Sequence, residues 1–338
     1  MARYPLNRFW STLLFAGGVT VAALAGGYSA AVAAKAPAQF TQAPGYYRLA
    51  LGDIEITALS DGVNPLPMHQ LLSLDAAEVR QRLAEFYLHS PLDTSVNGFL
   101  VNDGKQLVLI DTGAGDLFGD SVGRLQQNLQ AAGYSTDAVD VILLTHLHSD
   151  HVGGLLKGDK PRFSHASVYA RDDEVNYWLS DERLAQANDE QRRSLEKVRQ
   201  LLAPYQAQGR LVAFSAGDTL AAGIHAVATP GHTPGHTSYR LQRDGQRLWI
   251  WGDIVHAAAI QFADPSVTIA FDSDAEQARQ QRQQLFAELA KHGDWIAGAH
   301  LSFPGIGHIQ ALGDGHYRWL PANYTLPQPA PDNKDAAE

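Results

Sequence analysis

Short apolar or alternating runs, bounded by turn residues, recur along the chain between longer stretches of helical spacing. Residues 47–59, 95–101 and 106–110 read as strands, and Asn102-Asp103-Gly104 is a hairpin signal between the last two. Arg243-Asp244-Gly245 repeats that signal between residues 238–241 and 247–250. Further apolar runs occupy 141–144, 224–228, 248–251 and 295–297. Helices are expected over 75–89, 121–132, 181–202 and 274–291, where charged and apolar residues alternate at helical spacing. Two mixed sheets packed face to face, with helices outside, satisfy this order of elements. The reading is an α+β domain over residues 34–324.

The two ends depart from that pattern. Arg3 and Arg8 precede an uncharged run from Phe9 to Ala34, which closes on Ala31-Val32-Ala33. Residues 1–33 therefore read as a secretory signal peptide cut after Ala33, which implies a periplasmic or secreted protein with no permanent membrane span. The run approaches the length of a spanning helix, but its Gly-rich and Ala-rich character and its small-residue end favour cleavage. Residues 325–338 carry Pro327, Pro329 and Pro331 before an acidic end, and read as a disordered tail.

Composition narrows the chemistry. The 338 residues include no cysteine, which excludes disulfides, thiolate ligands and sulfur nucleophiles. Net charge is −10, and loss of Arg3 and Arg8 with the leader makes it more negative. No basic block stands out, so no nucleic-acid partner is expected.

Candidate chemistry concentrates in His146-Leu147-His148-Ser149-Asp150-His151, directly after the apolar run 141–144. A strand ending in three imidazoles and a carboxylate points several metal ligands into one small space, and such ligands suit first-row divalent ions. Other candidates also sit just past apolar runs: His232 within Gly231-His232-Thr233-Pro234-Gly235-His236, Asp253 after 248–251, and His300 after 295–297. Asp111, at the end of 107–110, is placed to accept a hydrogen bond from a ligand histidine and fix its tautomer. His236 reads as a hydrogen-bonded loop residue and His308 as structural.

This His-x-His-x-Asp-His motif with its later His, Asp and His resembles the metallo-β-lactamase superfamily. The resemblance implies an αββα sandwich holding two divalent ions. His146, His148 and His232 would take one ion, Asp150, His151 and His300 the other, and Asp253 would bridge them. Zinc is the expected metal, with manganese, cobalt or iron also compatible with oxygen and nitrogen ligands. Water activated between the ions would be the nucleophile, with Asp150 and Asp253 holding the reacting centre. Further segments, including Ala58-Leu59-Ser60-Asp61-Gly62, Asp111-Thr112-Gly113-Ala114 and Ser302-Phe303-Pro304-Gly305-Ile306-Gly307-His308, are similar to the branch containing methyl parathion hydrolase and its lactonase relatives. That likeness implies exported hydrolases and a homodimer.

The same likeness implies a substrate pocket lined by Phe118 and Trp178, whose rings suit a flat aromatic substrate. Leu71, His256, Ile269 and Phe271 depart from methyl parathion hydrolase, which has an arginine at the first position and smaller or more polar groups at the others. A mouth narrowed by His256, Ile269 and Phe271 favours a planar lactone or aryl ester, such as dihydrocoumarin, over a tetrahedral thiophosphate triester. Organophosphate triesters and acyl-homoserine lactones are the alternative substrates. Oxygen reduction by two irons, the reading from another class, would require a flavin domain, and the chain has neither the length nor a Gly-rich phosphate loop for one.

Overall fold

The computed structural model describes residues 38–325. The signal peptide, its cleavage point and all but the first residue of the proline-containing tail lie outside them. In chain order the elements begin β1 (Tyr46–Leu51), β2 (Ile54–Leu66), α1 (Met68–Leu71), α2 (Ala76–Ala84), β3 (Leu92–Asn102), β4 (Leu107–Ile110), α3 (Leu125–Ala131) and β5 (Val141–Leu143). Next come α4 (Ser149–Val152), β6 (Leu156–Lys157), β7 (Lys160–Pro161), β8 (Ser167–Arg171), α5 (Asp172–Trp178), α6 (Asp181–Gln186), α7 (Asp189–Ala207) and β9 (Leu211–Phe214). The rest are β10 (His225–Ala228), β11 (Thr237–Arg243), β12 (Gln246–Ile250), α8 (Ala258–Gln261), α9 (Ala275–His292), β13 (Trp295–Ala297), β14 (Ile306–Gly313) and β15 (His316–Pro321).

Two mixed sheets result, one ordered β1-β2-β3-β4-β5-β8-β9 and the other β10-β11-β12-β13-β14-β15. Alternation along β4 shows how the strands serve two layers at once. Val108 and Ile110 join the core between the sheets, with Phe99, Leu143, Tyr239 and Ile250, whereas Leu109 faces outward onto Leu125, Leu129, Val198 and Leu202 of α3 and α7. On the opposite side Trp249, Trp251 and Ile296 pack beneath Leu285, Phe286 and Leu289 of α9. The layering is helix, sheet, sheet, helix, as the resemblance implied.

Several boundaries differ from the sequence reading for local reasons. The strand read over 47–59 is a hairpin of β1 and β2, and β2 runs on to Leu66 across a bulge between Ser60 and Gly62. That bulge turns the Asp61 carboxylate onto the backbone N–H groups of Ala114, Gly123 and Leu125, at 2.9, 3.0 and 2.9 Å. Helix α3 therefore starts at Leu125 rather than Ser121. The helix read over 181–202 is two helices, because Asn188 caps α7 by accepting from Gln191 N while the Gln191 side chain accepts from Asn188 N. Among the described residues, no helix is long and apolar enough to cross a membrane.

Candidate metal centre

Every expected ligand follows the C-terminal end of a strand. After β5 the chain turns directly into α4, which brings His146, His148, Asp150 and His151 to one end of the first sheet. From the second sheet, β10 leads to His232, β12 to Asp253 and β13 to His300. Their donor atoms gather into His146, His148, His232 and Asp253 on one side, and Asp150, His151 and His300 on the other.

Within the first group His148 Nδ1 lies 3.0 Å from both His146 Nε2 and His232 Nε2. Asp253 stands between the groups. Its Oδ2 is 3.2 Å from His232 Nε2 and 3.1 Å from His300 Nε2, and its Oδ1 is 3.1 Å from His151 Nε2. Asp150 Oδ2 lies 3.5 Å from His300 Nε2 and 3.8 Å from His151 Nε2.

Neighbouring acceptors decide which way each imidazole presents its lone pair. His151 Nδ1 donates to Asp111 Oδ2 at 2.8 Å, His232 Nδ1 to Asp272 Oδ1 at 2.9 Å, and His300 Nδ1 to the Ser95 carbonyl at 2.8 Å. Thr145 Oγ1 donates to Asp111 at 2.8 Å, so it accepts from His146 Nδ1 at 3.1 Å. With Nδ1 held as the donor on all four rings, the four Nε2 atoms face inward and offer lone pairs once they carry no proton, the arrangement that coordination requires. Buried His151 Nε2 and Asp253 Oδ1 have no hydrogen-bond partner within the protein. A donor set of five imidazoles and two carboxylates without sulfur fits divalent first-row ions.

Charge follows this geometry. Burial, reinforced by His232, pushes His148 down to about 3. Burial also opposes charge on His232, but its hydrogen bonds to Asp253 and Asp272 outweigh that and raise it to about 9. Burial would lift Asp253, yet the surrounding His151, His300 and His146 hold it well below the usual carboxylate range.

Asp111 occupies the place expected of it. Its backbone adopts φ 58°, a left-handed conformation uncommon outside glycine, while its carboxylate takes Thr145 N, Thr145 Oγ1 and His151 Nδ1. His236 is a buried loop residue that does more than fill space, since its Nε2 accepts from Asp253 N at 3.0 Å. Gly252 makes that contact possible: at φ 58°, an added Cβ would fall 2.6 Å from His236 Nε2.

Two carboxylates that the sequence reading passed over complete the support. Asp272 orients His232, as described above. Fully buried Glu174 on α5 accepts from Leu147 N at 2.9 Å, Trp178 Nε1 at 2.7 Å, Thr233 Oγ1 at 2.8 Å and Gly235 N at 2.8 Å. One side chain thus joins the His146–His151 turn, the His232 loop and the Trp178 ring. Its position in Asp172-Asp173-Glu174 resembles an ordinary acidic helix start, and no sequence signal separates it from its neighbours.

The pocket has two lobes. One, of about 450 Å³, is walled by Phe118, Trp178, Val198 and Phe271 and floored by Asp253, His256 and His300. The other, of about 520 Å³, extends past His148 and His232 toward Tyr177, Arg183 and Gln191. Trp178 and Phe271 border both.

His256 therefore does not narrow the mouth. It is 2% exposed, stacks on His300 and lies 3.2 Å from Asp253 Oδ2 through Nε2, with no acceptor for Nδ1. Unlike that of His151, His232 and His300, its Nδ1 has no partner, although its Nε2 faces Asp253 and it clusters with Asp253 and His300. Leu71 and Ile269 border neither lobe. Ile269 is 2% exposed in a cluster with Met68 and Leu72, and the Leu71 carbonyl accepts from Ala270 N at 2.8 Å. These residues lie one layer behind Phe271, and of the narrowing trio only Phe271, 39% exposed, stands at the opening.

A family model described as the metallo-beta-lactamase superfamily matches residues 92–300, which include all seven expected ligands. The crystal structure of hydrolase AbOPH in the beta lactamase superfamily is similar at TM-score 0.81 and 41% identity, covering 84% of this chain and 100% of that one. AidC, a dizinc quorum-quenching lactonase solved with N-hexanoyl-L-homoserine as product, is similar at TM-score 0.76 and 25% identity, over 83% of this chain and 99% of that one. Probable metallo-hydrolase YybB of Bacillus subtilis is 30% identical over 171 residues, 50% of this chain and 66% of its own length. The αββα layering, the strand-end ligands and these matches agree: the chain belongs to the metallo-beta-lactamase superfamily.

Proposed function

We propose that the protein is a dinuclear-metal hydrolase that opens lactones and aryl esters, with dihydrocoumarin-like aromatic lactones as its preferred class. The observation that carries this reading is the position of Asp253 between two ligand groups at the floor of an aromatic lobe, with Oδ2 beside His232 of one group and Oδ1 beside His151 of the other. Two bound divalent ions, zinc foremost, would supply Lewis acidity and lower the pKa of water from near 16 to about 7. The chain's own residues do the rest. Asp111, Thr145, Asp272 and the Ser95 carbonyl hold the ligand rings in one tautomer, while His236 anchors the Asp253 backbone N–H and His256 contacts its carboxylate. Phe118, Trp178 and Phe271 would hold a planar ring over that floor and exclude water from it. Ring opening of an aryl lactone releases a phenolate, whose conjugate acid has a pKa near 10, so the leaving oxygen needs little protonation.

Acyl-homoserine lactones are a second reading, favoured by the additional lobe beyond His148, which provides room for an acyl chain. Likeness to AidC supports the same reading. Organophosphate triesters remain a side activity in this proposal. We also propose that the leader ending at Ala33 exports the enzyme. The deciding experiment compares kcat/KM for dihydrocoumarin, an acyl-homoserine lactone and methyl parathion on one metal-loaded preparation. Dihydrocoumarin is expected to lead, and a large preference for methyl parathion would overturn the lactonase reading.

A further inference from the structure

The two lobes differ in chemistry as well as direction. Tyr177, Arg183, Gln186 and Gln191 line the second and not the first, whereas Phe118, Val198 and the acidic floor with Asp150 and Asp253 belong to the first alone. Arg183 is the one arginine or lysine in the wall of the second lobe. The guanidinium sits 3.7 Å above the Tyr177 ring and donates through Nη2 to the Tyr177 hydroxyl, which fixes its direction. Among the described residues it forms no ion pair; Asp181 of the same helix is taken by Arg199 at 2.8 Å. Of the acidic groups in that wall, Asp272 is bound to His232, and Glu190 lies in the first turn of α7, where the helix end favours a negative charge.

An oriented guanidinium with donors to spare, on the wall of a reaction cavity, is suited to a ligand carboxylate. We propose that this lobe is an anion subsite in which Arg183 binds a carboxylate carried by the substrate away from the scissile ester. The natural substrates would then be bipartite, with an apolar ring between Trp178 and Phe271 and an acidic arm reaching Arg183. This inference rests on the ester-hydrolase reading and adds the charge of the substrate to it.

The test uses phenyl hexanoate and monophenyl adipate, acyl chains of equal carbon count that differ by a terminal carboxylate. The metal-loaded enzyme is expected to prefer the adipate ester, mainly through KM. Arg183→Met should reduce that preference about tenfold, Arg183→Lys should retain part of it, and Arg193→Met, on the exposed side of α7, should leave the ratio alone. Equal kcat/KM for the two esters in the unaltered enzyme, or a preference that survives Arg183→Met, overturns the subsite. Calorimetric binding of free adipate against hexanoate separates the two layers of the argument. Arg183-dependent selection of adipate without turnover of either ester supports the subsite and removes the ester-hydrolase reading, whereas turnover without selection does the reverse.

Discussion

Asp272 shows how one residue outside the coordination shell can govern it. By accepting from His232 Nδ1 it sets the tautomer and raises the basicity of the nitrogen facing the site. Asp272→Ala should therefore weaken metal binding about 10–100-fold, the usual effect of removing such a partner, while far-ultraviolet circular dichroism stays unchanged. Unaltered affinity by competition with a chromophoric chelator would show that the contact is idle. The raised value of His232, about 9, adds a pH dependence with a definite sign. At pH 7 the ion-free ring carries a proton, and coordination must expel it. Metal loading should release protons at pH 7, and apparent affinity should climb toward pH 9; calorimetry in buffers of different ionisation enthalpy measures both.

At the scale of elements, α9 is held down by an unusual device. Arg282, 1% exposed, donates to the carbonyls of Ile254 at 2.6 Å, Pro265 at 3.1 Å and Val267 at 2.6 Å, with no carboxylate in the arrangement. It thereby binds the helix to the segment that carries Asp253 and His256 at one end and Phe271 and Asp272 at the other. Arg282→Met keeps the apolar stem but leaves the Ile254 and Pro265 carbonyls without donors, and Val267 with only Gln261 Nε2 at 3.0 Å. A loss of roughly 2–4 kcal/mol in chemical denaturation is expected, from hydrogen bonds to a charged group at about 1.5–3 kcal/mol each with partial relaxation. A loss below 0.5 kcal/mol would mean that water replaces the guanidinium.

Elements also mark the limit of what could be read from the sequence. The His146–His151 cluster is local, and strand ends follow from apolar runs, so the sandwich and the gathering of these side chains at one end of it were both visible in the chain. Glu174 was not, because its partners Leu147, Thr233 and Gly235 are 27, 59 and 61 residues away and only the folded loops bring them together. His256, three residues from Asp253, looked like a pocket wall, since spacing alone does not say whether a ring faces the opening or the floor. The division of 181–202 into α6 and α7 turned on side-chain competition at Asn188, which helical periodicity does not register.

Across the whole molecule, the ligands join two sheets that otherwise meet only through side chains and a few cross-links such as Thr237 N to the Thr145 carbonyl at 2.9 Å. His146, His148, Asp150 and His151 belong to one sheet, and His232, Asp253 and His300 to the other. Ion binding should therefore stabilise the sandwich as a unit, by about 4 kcal/mol when free metal stands at 1,000 times its dissociation constant. Chelation is expected to lower the melting temperature and to speed hydrogen exchange at the strand ends near the site, with the opposite ends of the same strands little changed. Uniform exchange along the strands would contradict this.

The carboxylates around the centre also bear on how ions would load. Asp111, Asp150, Asp253 and Asp272 gather at the site with buried Glu174 behind them, and two divalent cations would offset most of that charge. A single ion leaves much of that charge uncompensated in a poorly solvating interior, so the singly loaded form is disfavoured relative to both the protonated and the doubly loaded forms. Native mass spectrometry at half saturation should then show mainly ion-free and two-ion protein. Such loading would act as a threshold on free metal, leaving the enzyme either fully armed or inert.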